Sequence, residues 1–144
     1  MAPDASIRAV DGYRLVHPQD VQFRDIDGLG HVNNAVYLNY LEECRDRWVT
    51  EVLGDRFGFV IVRVAIDYRR ELSLEDEAVV VTCRGIGFGT SSIRTAEQVR
   101  TPDGTLSAEA ESVVVKHDDV ARAAVPLTDE EREVLSAAIA ADAD

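Results

Sequence analysis

Between Asn34 and Leu53, the apolar residues Tyr37, Leu41, Cys44, Trp48 and Val52 recur at spacings of four, three, four and four. Side chains three and four apart lie on one face of an α-helix, so this segment predicts a long amphipathic helix. Asn33 or Asn34 suits its N-cap, and Gly54 suits its stop. Glu43 and Arg47 stand i,i+4 in the favourable order. The period then switches to two. In FVIVRVAIDYRREL, Val60, Val62, Val64, Ile66 and Tyr68 fall on one side of a strand, and Phe59, Ile61, Arg63, Ala65 and Asp67 on the other.

Further strands are expected at 77–86 and 91–101, joined through GFGT, and at 105–117 after the hairpin turn TPDG. A first strand is expected over 13–23, where Pro18 implies an edge position or a break. Residues 24–33 read as a turn. A last helix starts near Pro126 with Thr128 as its cap and covers DEEREVLSAAIA. One long helix followed by successive antiparallel strands implies an α+β layer, a curved sheet packed on one buried helix. A sheet of this kind has open edges, which a second copy of the chain would cover.

Composition fits a single domain over residues 1–144, with 46% apolar residues and enough length for a core. The two ends, 1–10 and 137–144, read as loose. No apolar run approaches the ~20 residues of a membrane helix. MAPDASIRAVDG lacks the apolar core of a signal peptide. Cys44 and Cys83 have no metal spacing and read as small apolar residues in a reducing, cytoplasmic setting. The net charge of −12 argues against nucleic acid or an anionic membrane as partner. An anionic ligand would need local arginines, and these are unevenly placed: Arg69 and Arg70 are adjacent, with Arg84, Arg94 and Arg100 following.

The chemistry concentrates in FRDIDGLGHVNNAVYLNYLEECR, Phe23 to Arg45. The first N–H groups of the helix have no partners within it, and the helix dipole is positive there. Such an end can stabilise an anion, including the oxyanion formed when an acyl carbonyl is attacked. Asp27 lies just upstream, and Gly28 and Gly30 remove side chains that would block approach to the backbone. A carboxylate and an oxyanion donor on one segment are two parts of an acyl-transfer site. A turn followed by a cap explains the same residues without chemistry. GIGFG is not a dinucleotide fingerprint, since its glycine spacing is wrong and no helix follows. His17 and His117 read as ordinary strand residues.

This stretch resembles the N-terminal motif of the hot-dog-fold acyl-CoA thioesterases of the 4-hydroxybenzoyl-CoA thioesterase superfamily. Their pattern is close to aromatic-x-D-x-D-x-x-G-H-V-N-N-x-x-Y-L, followed by a helical E-x-x-R. The resemblance implies an antiparallel sheet wrapped around one long central helix, with a short C-terminal helix. It implies hydrolysis of an acyl-CoA or acyl-carrier-protein thioester without cofactor or metal, in a homodimer or homotetramer whose sites are shared between subunits.

By resemblance, Asp27 is the catalytic carboxylate, as nucleophile or general base, and the N–H of Asn34 is the oxyanion donor. Gly30 and Asn33 shape the loop. Thr90, Ser91 and Ser92 match a polar motif near the thioester and pantetheine arm. Arg84 and Arg94 are candidates for the nucleotide phosphates by charge and position. His31 is either an acid/base or a loop-ordering residue. In the related plant carrier-protein thioesterases an Asn stands two residues after the aspartate, and here that position is Leu29. Asp25 fits a loop hydrogen-bonding role better than a catalytic one, and Glu43 a surface pair with Arg47. Trp48, Phe57 and Phe59 are core residues that would also suit an acyl pocket. Two other functions fit the same fold: an enoyl-thioester hydratase using Asp27 and His31, and a non-catalytic acyl-CoA-binding module.

Overall fold

The computed structural model describes residues 15–54 and 58–143. Strand β1 (Leu15–Asp20) leads through a 3-10 turn (Phe23–Asp25) into helix α1 (Asn34–Leu53). Strands β2 (Phe59–Tyr68), β3 (Ala78–Phe88), β4 (Ser92–Arg100) and β5 (Leu106–Asp118) follow, then the short β6 (Ala123–Ala124) and helix α2 (Asp129–Asp142). All pairings are antiparallel, in the order β1-β3-β4-β5-β2, with β6 on β5. Pro18 lies on the edge strand β1, opposite Val80, where its missing N–H costs no inner ladder bond. Tyr13, Arg14 and Phe57 lie outside the described residues, as do the loose residues expected at 1–10.

The apolar face of α1 is the centre of the molecule. Tyr37, Leu41, Cys44, Trp48 and Val52 are buried, in one cluster with Val79, Val81 and Cys83 of β3, Ile93 and Val99 of β4, and Val114 of β5. Asn33 caps α1 through its side chain, which accepts from the Ala35 N–H, and Gly54 closes it in the left-handed conformation. The sheet approaches α1 so closely that a Cβ on Gly85 would come within 2.6 Å of the Trp48 ring. Both cysteines are free and buried, and burial raises their thiols well above the ordinary range.

Three expectations need correction. First, β2 does not keep one phase. Its register with β5 shifts between Ile61 and Arg63, so Ile61 stands opposite Val114 and Val64 opposite Ser112. The bulge at Val62 therefore turns Phe59 and Ile61 to the helix side with Val64, Ile66 and Tyr68, and sends Val60 to the other side. Second, the segment from 137 is not loose: α2 continues to Asp142, whose buried carboxylate accepts from the Trp48 indole N–H at 3.3 Å. A buried indole N–H needs such a partner. Third, the first strand ends at Asp20, and Phe23 sits in the 3-10 turn.

A polar network crosses the core under the middle of α1. Arg45 donates to Glu97 Oε1 at 3.2 Å and to Ser112 at 3.3 Å. Thr95 donates to Glu97 Oε1 at 2.9 Å and Ser112 to Oε2 at 3.2 Å. Burial pushes the Glu97 carboxyl above its ordinary value, against the pull of Arg45.

Candidate active site

The loop from Val21 to Asn33 is a folded hairpin of its own. Its ends are tied to the β2–β3 connection, with the Val21 N–H donating to the Glu77 carbonyl and the Val32 N–H to the Leu72 carbonyl. Ile26 and Val32 form a bridge across it. Within this hairpin the Asp27 N–H donates to the His31 carbonyl at 2.8 Å, and the Gly30 N–H to the Asp27 carbonyl at 3.1 Å. Gly30 has φ +83°, a conformation that a side chain would strain.

The Asp27 carboxylate completes the turn asymmetrically. Its Oδ1 accepts from the N–H groups of Leu29 at 2.9 Å and His31 at 3.2 Å. Among the described residues Oδ2 accepts no hydrogen bond. One oxygen orients the group and the other is available. Asn34, the first residue of α1, has an N–H with no partner among the described residues, as expected at a helix start. Asp27, His31 and Asn34 line one cleft of about 330 Å³ with Tyr37, Tyr68, Arg69 and Arg70.

The structure thus brings together Asp27, His31, Asn33 and Asn34. The His31 backbone serves the Asp27 turn through both its N–H and its carbonyl, while its imidazole is exposed toward the cleft. Gly30 and His31 also border an adjoining hollow of about 510 Å³ with Arg70 and the acidic Glu71, Glu75 and Asp76. Asp25 is buried and hydrogen-bonded to Gln22 and Tyr40. Glu43 makes an exposed pair with Arg47 at 3.6 Å.

Thr90, Ser91 and Ser92 are not brought to this cleft within one chain. They form the β3–β4 turn at the other end of the sheet, because Ala78 at the near end of β3 pairs with Asp20 while Phe88 pairs with Ile93. The eleven residues of β3 separate the two ends by roughly 30 Å at the usual strand rise. Backbone carbonyls of Thr90 and Ser91 dock this turn onto Leu127 and Lys116. Arg84 lies mid-strand opposite Ala96, and Arg94 lays its guanidinium across Gly87, where an added Cβ would meet it at 2.6 Å. Of the adjacent arginines, Arg69 pairs with Glu109 at 3.0 Å and Arg70 with Asp76 at 3.5 Å.

Two cleft residues escape a reading by periodicity. Tyr37 and Tyr68 meet edge to face, with ring centroids 5.1 Å apart. Ser107 donates to the Arg70 carbonyl at 2.7 Å, so its single hydroxyl proton is used and Tyr37 donates to Ser107 at 3.1 Å. Tyr68 donates to the Asn34 carbonyl at 3.0 Å. Both tyrosines sit on apolar faces, and no spacing distinguishes them from core filling. Among the described residues no group of three or more His, Cys, Asp or Glu could hold a metal ion. Among the same residues no helix is long and apolar enough to cross a membrane.

Comparison with known proteins gives the family and the fold. The family model described as the thioesterase-like superfamily matches residues 21–138. The long-chain acyl-CoA thioesterase FadM of Escherichia coli K12 is 32% identical over 119 residues, spanning 76% of this chain and 88% of that protein. A thioesterase from Thermus thermophilus, solved with coenzyme A and Zn, is 36% identical, with a TM-score of 0.81 over 91% of this chain and 98% of that one. YbaW, a probable thioesterase from Escherichia coli, is 28% identical with a TM-score of 0.70, over 87% and 98% of the two chains. With the wrapped sheet, the long helix and the Asp27 turn in place, the chain belongs to the thioesterase-like superfamily and is a hot-dog thioester hydrolase.

Proposed function

We propose that this protein hydrolyses the thioester of an acyl-CoA, or of an acyl-carrier-protein, to a free acid and a thiol. Asp27 is the catalytic carboxylate, and the Asn34 N–H stabilises the oxyanion. The observation that carries this reading is the division of labour on Asp27: Oδ1 is held by two N–H groups, while among the described residues Oδ2 accepts no bond and the helix N–H on the same cleft has no partner. A thioester has weak resonance stabilisation, so an oriented carboxylate and an oxyanion donor are sufficient equipment. As nucleophile, Oδ2 attacks the carbonyl carbon, the C–S bond breaks, and water hydrolyses the resulting mixed anhydride. As general base, it takes a proton from the water that attacks, and the thiolate leaves with a proton. In single turnover in H2(18)O, label in Asp27 establishes the first path, because it enters only when water opens the anhydride at the aspartyl carbon.

The substrate panel is acyl- and enoyl-CoAs, followed by thiol release, with Asp27→Asn and Asp27→Ala as controls. Thiol release that survives both substitutions rejects the role of Asp27. Loss of enoyl absorbance without thiol means hydration, and tight binding with neither means a binding module.

The working unit in this proposal is a homodimer joined along β2. That strand is an edge, and it exposes Val60, Ile61 and Val62, the last at 58%. An unpaired apolar edge of this length invites a partner strand. Antiparallel pairing of two β2 edges carries the β3–β4 turn of one subunit toward the Asp27 end of the other, which would unite Thr90, Ser91 and Ser92 with Asp27 across the dimer. Subunit mixing tests this. An Asp27→Asn chain combined with a Thr90→Ala/Ser91→Ala/Ser92→Ala chain regains one intact site per mixed dimer if the residues are shared. It regains none if each chain works alone.

A further inference from the structure

The catalytic reading leaves a buried carboxylate unused. Asp25 stands two residues before Asp27 and is 9% exposed. Among the described residues no cation contacts it. Its Oδ2 accepts from the Gln22 N–H at 2.9 Å and from the Tyr40 hydroxyl at 2.8 Å, and its backbone carbonyl accepts from the Asn33 N–H at 2.8 Å. Gln22 lies on the incoming limb of the hairpin, Asn33 is the cap on the outgoing limb, and Tyr40 projects from the second turn of α1. Three parts of the chain therefore converge on one residue.

The surroundings make this a fixed point rather than a surface bond. Tyr40 is 3% exposed, within the cluster that includes Val21, Val32, Tyr37 and Leu41. Its hydroxyl is held well above the ordinary value, first by burial and then by its bond to the Asp25 carboxylate, so it is a donor throughout the working pH range. A carboxylate largely shielded from water and held by N–H and O–H groups keeps those donors strongly, because losing one leaves a buried oxygen unsatisfied. Asp27 has no comparable anchor of its own. Among the described residues its carboxylate bonds only within the hairpin, to Leu29 and His31. The side-chain tie between the hairpin and α1 is Asp25, beside the backbone ties of Val21 and Val32 to the β2–β3 connection.

We infer that Asp25 and Tyr40 are positioning residues that set the separation between the Asp27 carboxylate and the Asn34 N–H, and so act on the chemical step without touching substrate. This rests on the catalytic reading above. A displacement of about 1 Å between groups that act on one carbonyl is enough to cost about 10²-fold in rate. Substrate binding depends on the cleft walls and the CoA-contacting surface, which Tyr40 does not reach, so the effect falls on kcat.

The test is steady-state kinetics of Tyr40→Phe, which removes the hydroxyl and leaves the ring in the core. The expected result is a fall in kcat of about tenfold or more with KM changed less than about twofold, in protein that is folded at the assay temperature by circular dichroism. Made in an Asp27→Asn background, the same change lowers the residual rate no further, because the geometry it controls then has no carboxylate to position. Asp25 supplies a second, independent variant. Both of its side-chain bonds end on one oxygen, so the amide of Asp25→Asn can retain them and should keep most of kcat, whereas Asp25→Leu should match Tyr40→Phe. A Tyr40→Phe enzyme with wild-type kcat overturns the inference, as does an equal loss in the Asp27→Asn background. If Asp27→Asn itself remains fully active, the catalytic reading has failed instead, and the two failures are distinguishable.

Discussion

Asp27 and Glu97 are both carboxylates set against α1, one at its start and one beneath its middle, and they differ in how completely they are used. Both oxygens of Glu97 are engaged, by Arg45, Thr95 and Ser112, and the residue is 1% exposed. Asp27 is half-buried, with one oxygen committed to backbone N–H groups and, among the described residues, no hydrogen bond to the other. A saturated carboxylate has nothing left to offer a substrate, however conspicuous its ion pair. An oriented carboxylate with a spare oxygen has directed reactivity. On the catalytic reading proposed above, chemistry belongs to the helix start and specificity of packing to its middle.

Exchanging the consequences of the two sites is the sharpest way to break the comparison. Asp27→Asn should lower kcat by about 10²–10⁴-fold, while the midpoint of urea unfolding moves by no more than an ordinary surface change, within about 0.5 kcal/mol. Arg45→Met should do the reverse. It strands the buried Glu97 carboxylate and should cost about 3–5 kcal/mol of stability, with kcat per folded molecule unchanged. Replacing both Arg45 and Glu97 with apolar residues of similar volume should recover most of that loss. A large stability loss in Asp27→Asn, or a dead but stable Arg45→Met, would show that the two regions are not separable.

A pH profile sharpens the contrast further. The folded state holds the Glu97 carboxyl above its ordinary value, so only in the pH window between the unfolded and folded values does it keep a proton that the unfolded chain has released. The stability this contributes is complete below the unfolded value and is lost as pH rises through the folded one. Melting temperature measured from pH 4 upward should carry this downward slope in the wild type, and Glu97→Gln should lack it.

The smallest expected effect concerns the nucleotide of the substrate. With a net charge of −12, the proposal that local arginines bind the CoA phosphates predicts that KM rises with salt by about two- to fivefold up to 0.5 M. Arg94→Ala should flatten that dependence, and an unchanged salt slope removes Arg94 from the binding surface.

Much of this was legible in the chain because local patterns carry it. The 3.6-residue spacing of Tyr37, Leu41, Cys44 and Trp48 specifies α1; Gly54 marks its end to the residue, and the pair Asn33–Asn34 marks its start to within one. The turn that presents Asp27 is written in short polar residues and glycines that have few other uses. What was not legible depends on distant parts meeting. The order β1-β3-β4-β5-β2 decides that Thr90 to Ser92 stand at the far end from Asp27, and no local pattern encodes it. Asp142 looks like tail sequence until Trp48 needs an acceptor. Tyr37 and Tyr68 have the spacing of core residues, and only their meeting beside Asn34 makes them walls of the cleft. In β2, apolar residues at 59, 60, 61 and 62 satisfy either phase, so alternation could not locate the bulge.

That bulge has a consequence for how the gene can vary. Val62 is an extra residue in the ladder, so neither its identity nor its presence decides which way its neighbours face. Ile61 and Val64 pair with Val114 and Ser112, which stand two apart on β5. Loss of the Val62 codon would therefore leave a regular strand with Phe59 and Ile61 still toward α1 and Val60 away from it. Over this short stretch, the lineage should tolerate loss of one residue as readily as exchange.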